Sequence, residues 1–324
     1  MFVRIHENPD IYSVPVVLPN NPLKNLNCYV VKTPEGNLVI DTGFNMHECL
    51  SALTEGLREL DIDMDRTTLF LTHLHSDHVG LVGHIATPGT RVLMGRKDYD
   101  MLASSLTSQH WEWMERRFCR EGLSKEQIEL QRTVNPARRF APERIFPAQT
   151  VEDGDRFTIG GYEFRCIWTP GHTPGHMCLY LDREGILFAG DHILFDITPN
   201  ITMWRGTEDS LGDYLQSLQK IRALDLRLTL PAHRKNDMDV YERIRQIEQH
   251  HDRRIAQALS IVREHPGINA CGIGAQMSWK MRGKNWEEFP IQQKWFAIGE
   301  TIAHLDYLIR RGQVIRHDED EMIS

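Results

Sequence analysis

Histidine and aspartate occupy four of six consecutive positions in this sequence, as His73, His75, Asp77 and His78. They directly follow a strand-like apolar run at residues 67–71. Because side chains in extended backbone repeat every two residues, His73 and His75 point the same way and can share one metal ion. Asp77 and His78 come after the chain bends and face a second point nearby. A lone histidine would indicate an ordinary surface or core residue, but this density predicts two adjacent metal sites beyond a strand end.

The HxHxDH pattern of residues 73–78 resembles the signature of the metallo-β-lactamase superfamily of metallohydrolases. Four other segments match further elements of that family, in the family's order across residues 10–235. They place Asp41 in residues 41–43 (DTG), His172 in 169–176 (TPGHTPGH), Asp191 in 188–191 (FAGD) and His233 in 230–233 (LPAH). Ala232 stands where a glycine is common in the family.

The resemblance implies a two-metal site, with one ion held by His73, His75 and His172, the other by Asp77, His78 and His233, and Asp191 bridging the two. Three imidazoles suit zinc, and the mixed ligand set also admits iron or manganese. Two such ions lower the pKa of a bridging water from about 15.7 toward about 7, so the implied nucleophile is a metal-bridging hydroxide, with Asp77 and Asp191 as the catalytic carboxylates. Asp41 is interpreted as a carboxylate that orients a ligand, the alternative being a simple turn residue.

The chain suits two domains, since it has 324 residues. Strand and helix patterns alternate through residues 1–236, which periodicity alone describes as mixed α/β. The resemblance implies a four-layer αβ/βα sandwich for this catalytic domain. Residues 237–324 are helical in pattern and end in a short apolar segment at 312–316, which predicts a winged helix. That arrangement resembles the C-terminal module of one branch of the superfamily, which includes glyoxalase II and the β-lactamase-like proteins.

Residues of about 96–147 interrupt the strand pattern with helical, arginine-rich sequence. One interpretation is a solvated helical face, because runs of charge usually mark solvent exposure. The other is a lid over the metals that attracts an anionic substrate. We expect substrate contacts from Trp111 and Arg139 in this segment, from His192 beside Asp191, and from Lys280 in the C-terminal region. His176 is interpreted as a structural residue or one that supports a ligand.

The net charge of −8 gives no support to nucleic-acid binding by the whole molecule. The N-terminus has no apolar leader, and no segment approaches the length of a membrane span, so we expect a cytoplasmic protein. A homodimer formed through the helical insertion or the C-terminal helices is a further hypothesis.

The resulting functional hypothesis is a dinuclear hydrolase of an ester-type bond in a small anionic acyl compound. A thioester such as an acyl-CoA or acyl-glutathione is slightly preferred, because a thiolate leaves without much protonation. The alternatives are a lactonase, an endoribonuclease of the β-lactamase-like branch, and a mono-iron persulfide dioxygenase. A winged-helix DNA-binding protein with a structural metal is the least favoured alternative.

Overall fold

The computed structural model describes residues 2–279 and 285–317, which form two β-sheets flanked by helices. The strands are β1 (Val3–Glu7), β2 (Asp10–Val17), β3 (Asn25–Lys32), β4 (Asn37–Ile40), β5 (Thr67–Leu71), β6 (Arg91–Gly95), β7 (Gln149–Val151), β8 (Arg156–Ile159), β9 (Tyr162–Trp168), β10 (Met177–Leu181), β11 (Ile186–Gly190) and β12 (Leu228–Pro231). The helices are α1 (His47–Glu59), α2 (Ser76–Val79), α3 (Val82–Ile85), α4 (Arg96–Ser105), α5 (Ser108–Arg120), α6 (Lys125–Val134), α7 (Pro136–Arg139), α8 (Ser210–Arg222), α9 (Val240–Glu264), α10 (Ala270–Gln276) and α11 (Ile291–Arg310), with a 3₁₀ turn at Met64–Arg66.

The strands form a seven-stranded sheet in the order β1 to β7 and a five-stranded sheet in the order β12, β11, β10, β9, β8. In the first sheet β1 to β4 are antiparallel, and β4 to β7 are parallel. In the second sheet β11 and β12 are parallel, and the other pairs are antiparallel. The carboxyl ends of β4 and β5, and those of β11 and β12, therefore each lead into a segment with candidate ligands.

The two sheets pack face to face through one apolar cluster. It includes Val31, Phe70 and Leu93 of the first sheet and Phe164, Leu179 and Phe188 of the second, all almost fully buried. A second cluster joins the outer face of the first sheet to α1. A third joins the outer face of the second sheet to α8 and the first half of α9. The four-layer sandwich that the sequence resemblance implied is confirmed.

Helices α5 and α6 share a further apolar cluster with the C-terminal helices. The ring of Phe118 on α5 stacks on Trp295 of α11 with centroids 3.6 Å apart. Met203, in the connection between β11 and α8, lies in the same cluster. The second half of α9 packs with α10 and α11. No helix in the described part of the chain is long and apolar enough to cross a membrane.

The prediction of a β wing at residues 312–316 is wrong, because the described residues contain no strand after β12. Gly312 has φ +68°, and the N–H groups of Gly312 and Gln313 donate to the carbonyls of Ile309 and Leu308 at 2.9 and 3.0 Å. The chain thus folds back over the end of α11, and Val314 packs in the cluster beside Leu308. The short apolar segment closes a helix end instead of pairing as a strand.

Candidate functional site

The HxHxDH segment begins where the fully buried strand β5 ends. His73 lies two residues after the end of the strand, and His75 has extended backbone at the N-terminus of α2. Asp77 and His78 lie within that short helix. The change from extended to helical backbone turns the second pair away from the first, as the sequence spacing predicts.

Three imidazoles converge on one point and form what we call the first group. The Nδ1 atom of His75 lies 2.9 Å from Nε2 of His73 and 3.0 Å from Nε2 of His172. His172 comes from the connection between β9 and β10, in the other sheet. These three residues are one of the sets whose ligand atoms lie within 4.8 Å of one another.

Asp77, His78 and His233 form a second group with the same spacing limit of 4.8 Å. Oδ1 of Asp77 lies 4.0 Å from Nε2 of His78, and Oδ2 of Asp77 lies 3.4 Å from Nε2 of His233. His233 follows β12, and an isolated bridge to Leu26 ties its backbone to the first sheet. The second group is thus assembled from both sheets.

The carboxylate of Asp191 lies between the two groups. Its Oδ1 atom is 3.5 Å from Nε2 of His233 and 3.8 Å from Nε2 of His78. Its Oδ2 atom is 3.7 Å from Nε2 of His172. Each oxygen therefore faces a different group, which is the arrangement a bridging ligand requires.

Three buried atoms at this point have no hydrogen-bond partner among the described residues: Nε2 of His78, Nε2 of His233 and Oδ1 of Asp191. A buried polar atom without a partner costs free energy, and in folded proteins such atoms are usually paired. A divalent cation would satisfy all three at once. The nitrogen and carboxylate donors suit zinc and also admit iron or manganese, so the residues fit a pair of metal ions.

Burial lowers the pKa of both His75 and His172 to about 4, in spite of a carboxylate near each ring. Both imidazoles are therefore neutral near pH 7, the form that binds a metal. Burial also acts to lower the pKa of His78, but the charges of Asp41, Asp191 and Asp77 outweigh it and raise that pKa to about 9. A metal ion at the second group would thus displace a proton from His78.

The second nitrogen of each of four histidines is held by a hydrogen bond. The pairs are His78 Nδ1 with Asp41 Oδ2 (2.8 Å), His233 Nδ1 with Asn25 O (3.0 Å), His172 Nδ1 with Asn200 O (2.8 Å) and His73 Nδ1 with Thr72 Oγ1 (3.0 Å). Such bonds fix the orientation of a metal-binding imidazole. Asp41, which has φ +63°, also accepts the N–H of Thr72 at 2.9 Å.

A carboxylate that sequence reasoning missed links two of the ligand loops. Asp98 on α4 is fully buried and accepts the N–H groups of Leu74 (2.9 Å) and Gly175 (2.5 Å) and the hydroxyl of Thr173 (2.6 Å). It thereby joins the segment of His73 and His75 to that of His172. Burial raises the pKa of Asp98 to about 6 against the effect of these donors. Its only local signal is a position in the first turn of a helix that follows a strand.

His176 and Trp204 also support the site from nearby positions. The ring of His176 is fully buried, and its Nε2 accepts the backbone N–H of Asp191 at 3.2 Å. Trp204 lies with its ring centroid 5.9 Å from that of His75 and donates from its indole to the His172 carbonyl at 3.1 Å. The sequence pointed to a supporting role for His176 but gave no sign of Trp204.

The expected substrate contacts lie in different places. His192 is fully buried between the rings of His176 and Tyr214, with centroids 6.0 and 5.2 Å away, and this burial argues against a substrate contact. Trp111 packs against the guanidinium of Arg138 at 4.2 Å within the helical segment. Lys280 lies outside the described residues.

Arg139 is exposed at the end of α7, over the ring of Phe140 at 5.0 Å. Phe140 packs on Phe44 with centroids 5.1 Å apart, and its carbonyl accepts the N–H of Asn45 at 3.0 Å. The start of α7 is also tied to the ligand segment, because Ser76 donates to the Pro136 carbonyl at 3.3 Å. Arg139 thus stands on a segment that contacts two loops beside the site.

Comparison with known proteins gives consistent matches. The sequence model of the Metallo-beta-lactamase superfamily matches residues 22–233, and that of a Metallo-beta-lactamase-like C-terminal domain matches residues 287–324. The Lactamase-like protein adaB of Aspergillus niger is 25% identical over 326 residues, covering 89% of this chain and 86% of that protein. An Atrochrysone carboxyl ACP thioesterase of Aspergillus fumigatus is 27% identical over 262 residues, covering 78% of this chain and 67% of that protein. The crystal structure of a metallo-beta-lactamase family protein from Thermus thermophilus has a TM-score of 0.78 and 28% identity, and covers 93% of this chain and 94% of its own.

Proposed function

Because this chain belongs to the metallo-β-lactamase superfamily and is a hydrolase of that fold, we propose that it cleaves acyl thioesters with two divalent metal ions. His73, His75 and His172 would hold one ion, and Asp77, His78 and His233 the other, with Asp191 between them. Residues 1–236 would form the catalytic unit, and residues 237–324 an appended C-terminal unit.

The observation that carries the proposal is the position of Asp191. Its two oxygens face the first and second groups separately, at 3.7 Å from His172 and 3.5 Å from His233. Oδ1 of Asp191 and the facing Nε2 atoms of His78 and His233 are buried and find no hydrogen-bond partner in the described part of the chain. A single structural ion would leave one group of donors unused, so this geometry supports two ions.

When bound, such ions polarise the acyl oxygen and lower the pKa of an attacking water to near neutrality. Burial acts to raise the pKa of Asp77, but His78 and His233 outweigh it and lower that pKa. Asp77 is therefore an ionised acceptor that can orient the attacking water. Asp191 lies between the two groups, and the buried indole of Trp204 packs beside His75.

Two features favour a thioester. Every imidazole and carboxylate of the two groups is used as a candidate ligand, so none of them is left as a dedicated general acid. A thiolate leaves without prior protonation, unlike an alkoxide or amine. A relative is named as a thioesterase for an acyl carrier protein.

The exposed arginines of the helical segment suit an anionic carrier such as CoA or a carrier protein. They are Arg96, Arg116, Arg120, Arg132, Arg139 and Arg144. This charge favours a small acyl compound attached to a phosphate-bearing thiol.

The test begins with elemental analysis of protein purified without added metal, where two ions per chain are expected. Turnover is then measured on acyl-CoA, acyl carrier protein thioesters, acyl-glutathione, lactones, phosphodiesters, single-stranded RNA and a persulfide. Asp191→Asn and His233→Ala should reduce thioester turnover to the level of the chelated enzyme. His47→Ala, which changes an exposed histidine outside both groups, should leave it unchanged.

Other outcomes separate the alternatives. Turnover of RNA or a lactone with no turnover of any thioester would reject the substrate class and keep the metal site. One iron per chain with oxygen consumption on a persulfide would reject hydrolysis altogether. Near-normal thioester turnover by Asp191→Asn would reject the role given to the bridging carboxylate.

A further inference from the structure

His172 is held on two sides by residues 196–209, the later part of the connection between β11 and α8, which we call the 196–209 loop. The ring nitrogen Nδ1 of His172 donates to the carbonyl of Asn200 at 2.8 Å. The indole of Trp204 donates to the backbone carbonyl of His172 at 3.1 Å. The orientation of this imidazole therefore depends on where the 196–209 loop lies.

The 196–209 loop is in turn held by the C-terminal helix α11. The side-chain amide of Asn200 donates to the carbonyl of Phe296 and to Oε2 of Glu300, both at 3.4 Å. Gly299 approaches Thr202 so closely that a Cβ at position 299 would overlap the Thr202 hydroxyl. Polar bonds and a close backbone approach thus fix the loop against one face of α11.

Glu300 is itself fixed from its far side. Its Oε1 atom accepts the guanidinium of Arg254 on α9 at 3.1 Å, and His250 lies 3.9 Å away. Arg254 donates to the Ser278 carbonyl at 2.7 Å and stacks over the Trp279 ring at 3.7 Å. A largely buried ion pair of this kind adds little net stability compared with apolar packing, so a geometric role accounts better for its presence.

We propose that Glu300 is a positioning residue for His172, acting through Asn200 and the 196–209 loop. The C-terminal helices would thus complete the first group of metal ligands from outside the catalytic sandwich. This inference rests on the proposed function, because it requires His172 to bind a metal ion. Hydrogen bonds that orient a metal-binding imidazole commonly change metal affinity by about 10- to 100-fold when they are disturbed.

The test uses Co²⁺ binding to the full-length, metal-free protein, followed by visible d–d absorption. Wild type should bind two ions, and His172→Ala identifies which of the two steps belongs to the first group. Asn200→Asp keeps the backbone carbonyl that holds His172 but cannot donate to Glu300, so that step should weaken by about 10- to 100-fold. The double variant N200D/E300Q restores a donor and an acceptor in reversed positions and should recover most of the affinity.

Gly299→Ala provides a second variant that acts on the same loop without changing a charge. Its Cβ displaces Thr202, and the same Co²⁺ step should weaken. Gly274→Ala on α10 is the matched control, because its Cβ would meet the nearest atom, Thr301 Oγ1, at 3.2 Å and lies away from the loop. Thermal unfolding of each metal-free variant shows that the comparison is made on folded protein.

Wild-type affinity at both steps in folded Asn200→Asp and Gly299→Ala would overturn the inference. An equal loss of Co²⁺ affinity at both binding steps would also overturn it, because such a loss indicates a general structural effect. If His172→Ala changes neither step, the ligand role of His172 fails, and with it the proposed site. The failure of the positioning role is therefore distinguishable from that of the proposed function.

Discussion

Gly190, the residue before Asp191, allows a stringent test of how the site is built. Its φ is +51°, and a Cβ at this position would lie 2.6 Å from Nε2 of His176 and 2.9 Å from Cβ of Thr72. Left-handed backbone costs a residue with a Cβ about 1–2 kcal/mol. Overlap with tightly packed neighbours adds about 1–3 kcal/mol. Gly190→Ala should therefore lower the free energy of unfolding by about 2–5 kcal/mol.

The matched control is Gly154→Ala, since Gly154 has φ +86° and no atom of the described residues lies within 4 Å of an added Cβ. The Gly154→Ala variant isolates the cost of the left-handed backbone, so its free energy of unfolding should fall by only about 1–2 kcal/mol. Both variants are compared by urea unfolding in the presence of a chelator, and their metal content is then measured without it. Gly190→Ala should also lose metal, because its Cβ pushes the His176 ring that accepts the Asp191 N–H. Equal destabilisation of the two variants, or full metal content in Gly190→Ala, would refute the reasoning.

Two further predictions concern other buried groups. Asp98→Asn leaves one side-chain oxygen for three donors, so Co²⁺ binding at the first group should weaken by about 10-fold or more. The affinity is measured against a competing chelator. The control is Asp182→Asn, at an exposed carboxylate paired with Arg165, which should not change this affinity. His251 is fully buried beside His304, Tyr214, His250, Glu300 and Arg254, and burial holds its pKa well below the usual value. Below about pH 6.5, His251 therefore binds a proton in the unfolded chain but not in the folded protein. This difference lowers the free energy of unfolding by about 1.4 kcal/mol at pH 5.5. Urea unfolding at pH 7.5 and 5.5 should show a smaller acid loss in His251→Leu, and an unchanged loss would contradict the assignment.

The sequence could predict the parts of the site that are local in the chain. The HxHxDH segment places four candidate ligands at one strand end, so their arrangement as two adjacent pairs follows from backbone geometry alone. His172, Asp191 and His233 are far apart in sequence, and only the family resemblance pointed to them. The described structure brings all three to the same place.

Residues that act only through tertiary contacts could not be predicted in this way. Asp98 bonds to Thr173 and Gly175 across 75 and 77 positions, and Asn200 meets Glu300 across 100. No local pattern marks such residues, because each is an ordinary polar residue until the fold pairs it. The predicted β wing at residues 312–316 was wrong although a local pattern was present. A short apolar segment after a glycine is compatible with a strand and with a helix end, and the sequence alone does not distinguish them.

The supports of the ligands are unequally distributed over the fold. Asp41 and Asn25, which hold His78 and His233, lie at or beside strand ends of the first sheet, within the sandwich. Asn200, which holds His172, is fixed by Phe296 and Glu300 on the C-terminal helix. Among the described residues, the hydrogen bonds that hold the rings of His78 and His233 thus come from the sandwich, whereas the bond that holds His172 comes from a loop in contact with α11. If Glu300 positions His172 as proposed, the C-terminal helices act on the metal site through this contact, without need of a winged-helix shape or of nucleic-acid binding.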